Sequence, residues 1–412
     1  MREETVNILI IGAGPSGCVS ASYLHDKNIK VKIVEKARFP RYVIGESLLP
    51  RCMDHFEEVG LLEALKQQNF EIKKGARFLR GDLVCDFDFS QKHSPGWDWT
   101  WQVPRADFDL VLANEVQKKG IPIDFEHEVV DVKVNPSGST TTVKDNKGAI
   151  HKIHADFIID SSGYGRVLPR FLDLEKPSGL PEHSSIFTQV RDVKRPSGKE
   201  GTLITFDVLD TELWFWMIPF SNGNTSIGFV GPTDYINSFG EDTTLAMKKM
   251  IPLSSYFAER FEDIPFLFTP KKIQNYSKNV KQLYGDGYAL TGNSAEFLDP
   301  VFSSGVTFAT ESGLLAAKLA YRQLEGEPVN WEVEYKSYIE QGVRVFATYV
   351  EEWYTGNLQK LFFHRPENLE VKKQICSILA GYVWDTSNPF VKKHHRIIKS
   401  MAHFLELNEN SD

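Results

Sequence analysis

The segment Gly12-Ala13-Gly14-Pro15-Ser16-Gly17 sets three glycines at the spacing G-x-G-x-x-G, between the apolar run Val6–Ile11 and the helix-like stretch Cys18–His25. Glycines at those places let a main chain approach a pyrophosphate, whose charge is met by free N–H groups at the start of the following helix. Eighteen residues beyond Gly17, Glu35 ends the next strand-like run, where its carboxylate can accept hydrogen bonds from a ribose. The pattern predicts dinucleotide binding, with a purely structural strand-turn-helix as the alternative. Pro15, Ser16, Lys36 and Val129 complete the cofactor residues expected around it. A second helix start lies at Ser304 and Gly305, before the helical stretch Val306–Arg322; N–H groups there lack intrahelical acceptors and can bind an anion, or hydrogen-bond the edge of a bound cofactor. On a strand, Trp214-Phe215-Trp216-Met217-Ile218-Pro219 puts Trp214 and Trp216 on one face and Phe215 and Met217 on the other. Two indoles on one wall suit a flat aromatic substrate, or ordinary core packing.

These residues need a scaffold, and the patterning supplies an α/β one. Val6–Ile11, the glycine turn, Cys18–His25 and Lys30–Glu35 form a βαβ unit. A helix is expected over Leu49–Gln68, and short strands over Gly75–Phe89 and Trp97–Val103. A further helix is expected over Ala106–Lys119, followed by strands at 121–124, 128–134, 140–143 and 150–159. Ser184–Val230 reads as antiparallel sheet with a hairpin turn at Asn222-Gly223-Asn224. Helices continue from Glu325 to about Phe404, with a polar, mobile tail expected over Glu406–Asp412. The expected organisation is a discontinuous Rossmann-like dinucleotide domain (1–72, 102–165 and 272–325), an inserted antiparallel-sheet domain (73–101 and 166–271) and a C-terminal helical cap (326–412).

The 412 residues are 42% hydrophobic and 25% charged, an ordinary composition for a soluble chain of about two domains. A net charge of −8 argues against a nucleic-acid partner. Lys392, Lys393, His394, His395, Arg396 and Lys399 concentrate positive charge, as a solvated helix face or as a dock for an acidic carrier protein. Cys18, Cys52, Cys85 and Cys376 are scattered, without a Cys-x-x-Cys pair or His spacing suited to zinc, so no metal is expected. Without a signal-like start or a membrane-length apolar run, a cytoplasmic location is expected.

Three segments resemble the hydroxylase-like superfamily of FAD flavoproteins. Pro104-Arg105-Ala106-Asp107-Phe108-Asp109 is similar to its helix start with a flavin-contacting arginine, here Arg105. Asp156-Phe157-Ile158-Ile159-Asp160-Ser161-Ser162-Gly163 is similar to its Asp-Ala-Ser-Gly strand end, which assigns Asp160 and Gly163 to the cofactor. Gly292-Asn293-Ser294-Ala295 stands where the family has Gly-Asp-Ala-Ala; Asn293 replaces the aspartate but keeps an acceptor. The Trp214–Pro219 segment and Phe297-Leu298-Asp299-Pro300-Val301-Phe302-Ser303-Ser304-Gly305 further resemble the flavin-dependent halogenases, through Trp-x-Trp-x-Ile-Pro and Phe-x-x-Pro-x-x-Ser-x-Gly. Phe302 stands where tryptophan halogenases carry a glutamate, so the resemblance is to the phenol and pyrrole branch.

That resemblance implies FAD as cofactor, contacted also by Ser47, Pro300 and Gly305, with halide at Ser304 and Gly305. It implies a substrate wall containing Trp214, Trp216 and Phe302. Lys73-Lys74-Gly75-Ala76-Arg77-Phe78 is similar to the family's Lys-x-Gly-x-x-Phe, making Lys73 the lysine that holds hypohalous acid or becomes chlorinated by it, although a lysine pair at a strand start is ordinarily surface charge. Gly45-Glu46-Ser47 is similar to a segment on the route from flavin to substrate, so Glu46 is a gate or base, or simply a helix N-terminal acid. The implied function is halogenation of an electron-rich arene, free or on a carrier protein, using reduced FAD, oxygen and halide. No second glycine fingerprint is present, so a separate flavin reductase or transient NAD(P)H supplies the electrons. An FAD monooxygenase or reductase of the same superfamily, and a non-catalytic flavin-binding scaffold, are the alternatives. A second period-two ladder, Trp97, Trp99 and Trp101, is expected to add indoles to the sheet domain.

Overall fold

The computed structural model describes residues 2–135, 138–179, 181–365 and 367–409. From the N-terminus the chain runs β1 (Arg2–Ile11), α1 (Pro15–His25), β2 (Val31–Glu35), α2 (Arg51–Glu58), α3 (Leu62–Lys66), β3 (Glu71–Lys73), β4 (Gly75–Arg80) and β5 (Leu83–Asp88). β6 (Thr100–Gln102), α4 (Arg105–Lys118), β7 (Ile123–Phe125), β8 (Glu128–Asn135), β9 (Gly138–Lys144) and β10 (Ile150–Asp160) follow. After them come β11 (Glu175–Pro177), β12 (His183–Arg191), β13 (Thr205–Val208), β14 (Trp214–Pro219), β15 (Asn224–Pro232), β16 (Lys271–Gln274), β17 (Lys278–Val280), β18 (Tyr284–Gly285) and β19 (Tyr288–Leu290). Long helices then span Gly305–Leu324, Tyr338–Tyr354 and His394–Glu409.

The first sheet has the order β18-β19-β10-β1-β2-β7, with β9 pairing β10 and β8 pairing β9. β1 is parallel to both β10 and β2. Ile8, Leu9 and Ile10 are fully buried, as a strand covered on both faces requires. The Gly305–Leu324 helix crosses α1 closely because small residues meet there: Ser20 Oγ donates to the Gly313 carbonyl at 2.9 Å, and a Cβ on Gly313 would lie 2.5 Å from Ser16 Oγ.

The second sheet has the order β16-β12-β15-β14-β13-β4-β5. It is not wholly antiparallel as expected, because β13 runs parallel to β4. The period of two in β14 holds. Trp214 and Trp216 pack with Phe206 and with Trp353 and Tyr354 of the Tyr338–Tyr354 helix. Phe215 and Met217 pack on the opposite face with Met247, Phe257 and Phe261. All six β14 residues are buried, so the strand is covered on both faces.

Other expectations need correction. The helix over Leu49–Gln68 is broken into α2 and α3 at Gly60, whose φ of +70° no helix accepts. The third tryptophan of the Trp97–Trp101 ladder alone lies on a strand; Trp97 and Trp99 are in a loop, the three indoles meeting edge to face. They pack against the core of the first sheet, not in the second sheet. The expected tail from Glu406 is helical to Glu409, and 410–412 lie outside the described residues.

Candidate functional site

A cavity of about 700 Å³ runs from the glycine turn between β1 and α1 to the indole face of the second sheet. At its first end, Gly12 has φ +103°, and a Cβ there would stand 2.4 Å from the Ser161 carbonyl oxygen. Gly14 precedes α1, and the N–H groups of Gly14, Ser16 and Gly17 have no hydrogen-bond partner among the described residues. Glu35 is fixed on the wall: one carboxylate oxygen accepts from the Ala13 N–H at 2.9 Å, the other from the Ala37 N–H at 2.8 Å. The hydroxyls of Ser16, Ser161 and Thr291 cluster beside the turn, with Ser16 and Ser161 each within 2.9 Å of Thr291. Arg41, held to Asp109 at 3.1 Å, sends its guanidinium towards Gly14. A glycine cradle, a free helix start, an arginine and a fixed acid together fit a dinucleotide such as FAD.

Pro15, Ser16, Lys36, Ser47, Val129, Gly163, Gly292, Asn293 and Pro300 also line the cavity. Gly17 and Asp160 do not. Gly17 is a packing glycine, since a Cβ would lie 2.0 Å from the Gly12 carbonyl oxygen. Asp160 is fully buried behind the wall, where it accepts from the Ser162 and Leu168 N–H groups at 2.9 and 2.7 Å and so shapes the turn carrying Ser161–Gly163. Arg105 lines the cavity but spends most of its donors on protein: bidentate to Asp109 at 2.8 and 3.0 Å, and to the Ile44 carbonyl at 2.8 Å. It holds the Ile44–Ser47 segment in place.

The Gly305–Leu324 helix begins on the same cavity. Ser303, at φ +57°, turns the chain into it, and the N–H groups of Ser304, Gly305, Val306 and Thr307 have no partner among the described residues. An anion beside Ser304 and Gly305 would meet unpaired N–H donors and the positive end of a 20-residue helix.

At the far end each indole of β14 feeds a chain of hydrogen bonds that ends on a buried carboxyl group. The Trp216 N–H donates to Ser226 Oγ at 3.1 Å, and Ser226 in turn bonds Glu46, which also accepts from the Gln189 amide at 2.6 Å. Burial pushes the Glu46 carboxyl up to about 7. The Trp214 N–H donates to the Tyr354 hydroxyl at 3.2 Å, which donates to Asp299 at 3.0 Å; Tyr276 donates to the same oxygen at 2.8 Å. Burial likewise raises Asp299. Ser226, Tyr354 and Tyr276 carry no local signal in the sequence, because they come from β15, a C-terminal helix and a loop. Asp299 was visible within the Phe297–Gly305 segment but fell between its fixed positions.

Lys73 is buried at 2% exposure yet does not face the cavity: its Nζ donates to Ser47 Oγ at 2.7 Å and to the Leu48 carbonyl at 2.8 Å. Ser47 lines the cavity, so one hydroxyl stands between the amine and the open space. Desolvation lowers the Lys73 ammonium to about 7, while Lys74 is exposed. Phe302, expected in the substrate wall, instead packs edge to face on Tyr349 and Trp353, away from the cavity. Trp214 and Trp216 do line it, with Phe206 and Ile218.

The family model described as FAD binding domain matches residues 5–231. Among curated proteins, the 1H-pyrrole-2-carbonyl-[peptidyl-carrier protein] chlorinase of Pseudomonas fluorescens is 27% identical, the alignment covering 93% of this chain and 91% of that protein. The corresponding brominase of Pseudoalteromonas luteoviolacea is 26% identical, with 93% of each chain covered. Among solved structures, a flavoprotein/dehydrogenase of Cytophaga hutchinsonii is 50% identical with a TM-score of 0.97, covering 98% of this chain and 100% of that one. The flavin-dependent brominase Bmp2 shares the fold at a TM-score of 0.83 and 22% identity, over 99% and 100% of the two chains.

Proposed function

This chain belongs to the FAD-binding-domain family of flavoproteins and groups within it with the flavin-dependent halogenases, and we propose that it halogenates an electron-rich aromatic. Bound FAD, once reduced, supplies with oxygen the two-electron oxidation that converts halide and a proton into hypohalous acid and water. The chain's own residues do the rest. The unpaired N–H groups of Ser304 and Gly305 hold the halide against the helix start. The apolar wall of Phe206, Trp214, Trp216 and Ile218 excludes water from the product acid.

Lys73 receives that acid. With its proton lost near pH 7, the amine attacks the halogen of hypohalous acid to give a haloamine and water, or holds the acid by hydrogen bonding. Turning the Ser47 hydroxyl aside opens Nζ to the cavity. Halogen then passes to an arene on the indole wall, and Glu46 takes the proton the arene gives up and returns it to the amine nitrogen the halogen has left, or to the hydroxide that leaves as water when hypohalous acid is the donor. The observation that carries the reading is a buried, near-neutral lysine one hydroxyl away from a cavity that joins two helix starts to an indole wall.

The substrate is proposed as a phenol or pyrrole, presented on a carrier protein as in the Pseudomonas and Pseudoalteromonas relatives, with electrons from a separate flavin reductase. A bromide-soaked crystal tests the halide site: an anomalous peak within hydrogen-bonding distance of the Ser304 and Gly305 N–H groups is expected, and its absence at saturating bromide counts against the reading. A second reading, hydride transfer by a dehydrogenase, is favoured by the name of the Cytophaga hutchinsonii relative. It requires rapid oxidation of a reduced substrate or nicotinamide with no dependence on halide.

A further inference from the structure

We propose that His127, Asp145 and His151 form a binding site for a divalent transition-metal ion of the zinc class, at the cavity rim and outside every residue assigned to halogenation. The three side chains come from adjacent strand ends: His127 just before β8, Asp145 just after β9, and His151 near the start of β10. The antiparallel ladder fixes their relative positions, with Glu128 opposite Lys144 and His151 opposite Val143. One donor atom from each lies within 4.8 Å of the other two.

Each ligand is already oriented. His127 Nδ1 lies 2.8 Å from the Phe125 carbonyl oxygen, which accepts a proton, so Nδ1 carries the hydrogen and Nε2 presents a lone pair. One Asp145 oxygen accepts from the Lys147 and Ala149 N–H groups at 2.9 and 2.8 Å, which turns the other towards His151. That second oxygen is hydrogen-bonded to His151 Nε2 at 3.3 Å, a contact that a bound ion would replace. The separation is long for a charge-assisted hydrogen bond, which runs about 2.7–2.9 Å. It matches the roughly 3.4 Å edge of a tetrahedron drawn around an ion bonded at about 2.0–2.1 Å. The remaining separations between the three residues' ligand atoms, up to 4.8 Å, must close towards that edge by side-chain rotation.

Two imidazoles and one carboxylate are a zinc-type donor set, and two nitrogen ligands disfavour magnesium and calcium. All three residues are half-buried, which leaves a fourth position for water and lets the ion exchange. The site also has a place in the fold. His127 lines the cavity, and its N–H donates to the Glu35 carbonyl at 3.0 Å, so an ion would tie the β9–β10 hairpin to the wall that carries Glu35. No Cys or His spacing announced it, because the ligands come from three strands.

Equilibrium dialysis of the tag-free holoprotein against Zn²⁺ tests the site. One saturable ion per chain is expected, with binding weakened at least roughly tenfold in each of His127→Ala, Asp145→Asn and His151→Ala. His154→Ala, removing the next imidazole on β10, should leave binding unchanged. Zn²⁺ should raise the melting temperature of the parent but not of the three variants, whose metal-free melts report whether they fold. Affinity weaker than about 1 mM, binding retained in any of the three variants, or binding lost in His154→Ala overturns the proposal.

Discussion

Lys73 Nζ donates to the Ser47 hydroxyl at 2.7 Å, so the amine proposed to carry halogen is screened from the cavity by a side chain that lines it. Lys73→Ala should keep FAD bound and reduced-flavin oxidation intact while halogenated product falls by at least about a hundredfold. Lys73→Arg should not restore it, because a guanidinium stays protonated and cannot form a haloamine. Product analysis beside a flavin absorbance spectrum checks both; product from Lys73→Ala would move the role elsewhere.

The same lysine should appear in the pH dependence of stability. Its folded value, about 7, lies below the ordinary 10.5. Between those values the unfolded chain binds a proton that the folded one does not, so stability rises with pH across the window, by at most about 1.4 kcal/mol per unit. Lys73→Met should flatten that rise in denaturant titrations between pH 7 and 10. An unchanged slope would mean that Lys73 is not desolvated as described.

Glu46 has the opposite sign. Its folded value of about 7 exceeds the ordinary 4.5, so the folded chain holds the extra proton between them and stability falls as pH rises through that window. Glu46→Gln keeps partners for Ser226 and Gln189 and removes the charge. It should be more stable than the parent above pH 7, by on the order of 1–3 kcal/mol, and should lose the acid limb of the halogenation pH profile. A variant with full activity and an unaltered profile would remove Glu46 from the chemistry.

Gly12→Ala should abolish FAD binding, since the new methyl would meet the Ser161 carbonyl oxygen at 2.4 Å and take a φ of +103°. Flavin content after purification is the measurement; a full complement of FAD would show that the turn can shift.

The local parts of this arrangement were legible in the sequence, and the assembled parts were not. The β1–α1–β2 unit and the glycine turn are set by contiguous residues, and the period of two correctly puts Trp214 and Trp216 on one face. The same period misleads at Trp97 and Trp99, where a loop stacks indoles edge to face without strand pairing. Lys73 could be placed by spacing, but the Ser47 hydroxyl covering it depends on an isolated bridge between Ser47 and Gln102 that no local pattern shows. Phe302 leaves the substrate wall because the Tyr338–Tyr354 helix brings Tyr349 and Trp353 against it.

That helix also supplies Tyr354, which couples the substrate wall to the segment before the halide turn. Tyr354→Phe leaves the Trp214 N–H without its acceptor and removes one donor from Asp299. It should cost about 1–3 kcal/mol of stability by chemical denaturation; no loss would show that water replaces the hydroxyl.

The central claim, that halide is oxidised in this cavity, is tested most directly by a single turnover of the reduced FAD holoprotein with oxygen across a bromide titration. Hydrogen peroxide and oxidised bromine are measured together, the latter by trapping with a reactive arene. Peroxide yield should fall as bromide rises, with trapped bromine replacing it, and Lys73→Ala should not slow flavin oxidation. Stoichiometric peroxide at every bromide concentration, with no trapped bromine, would contradict the account.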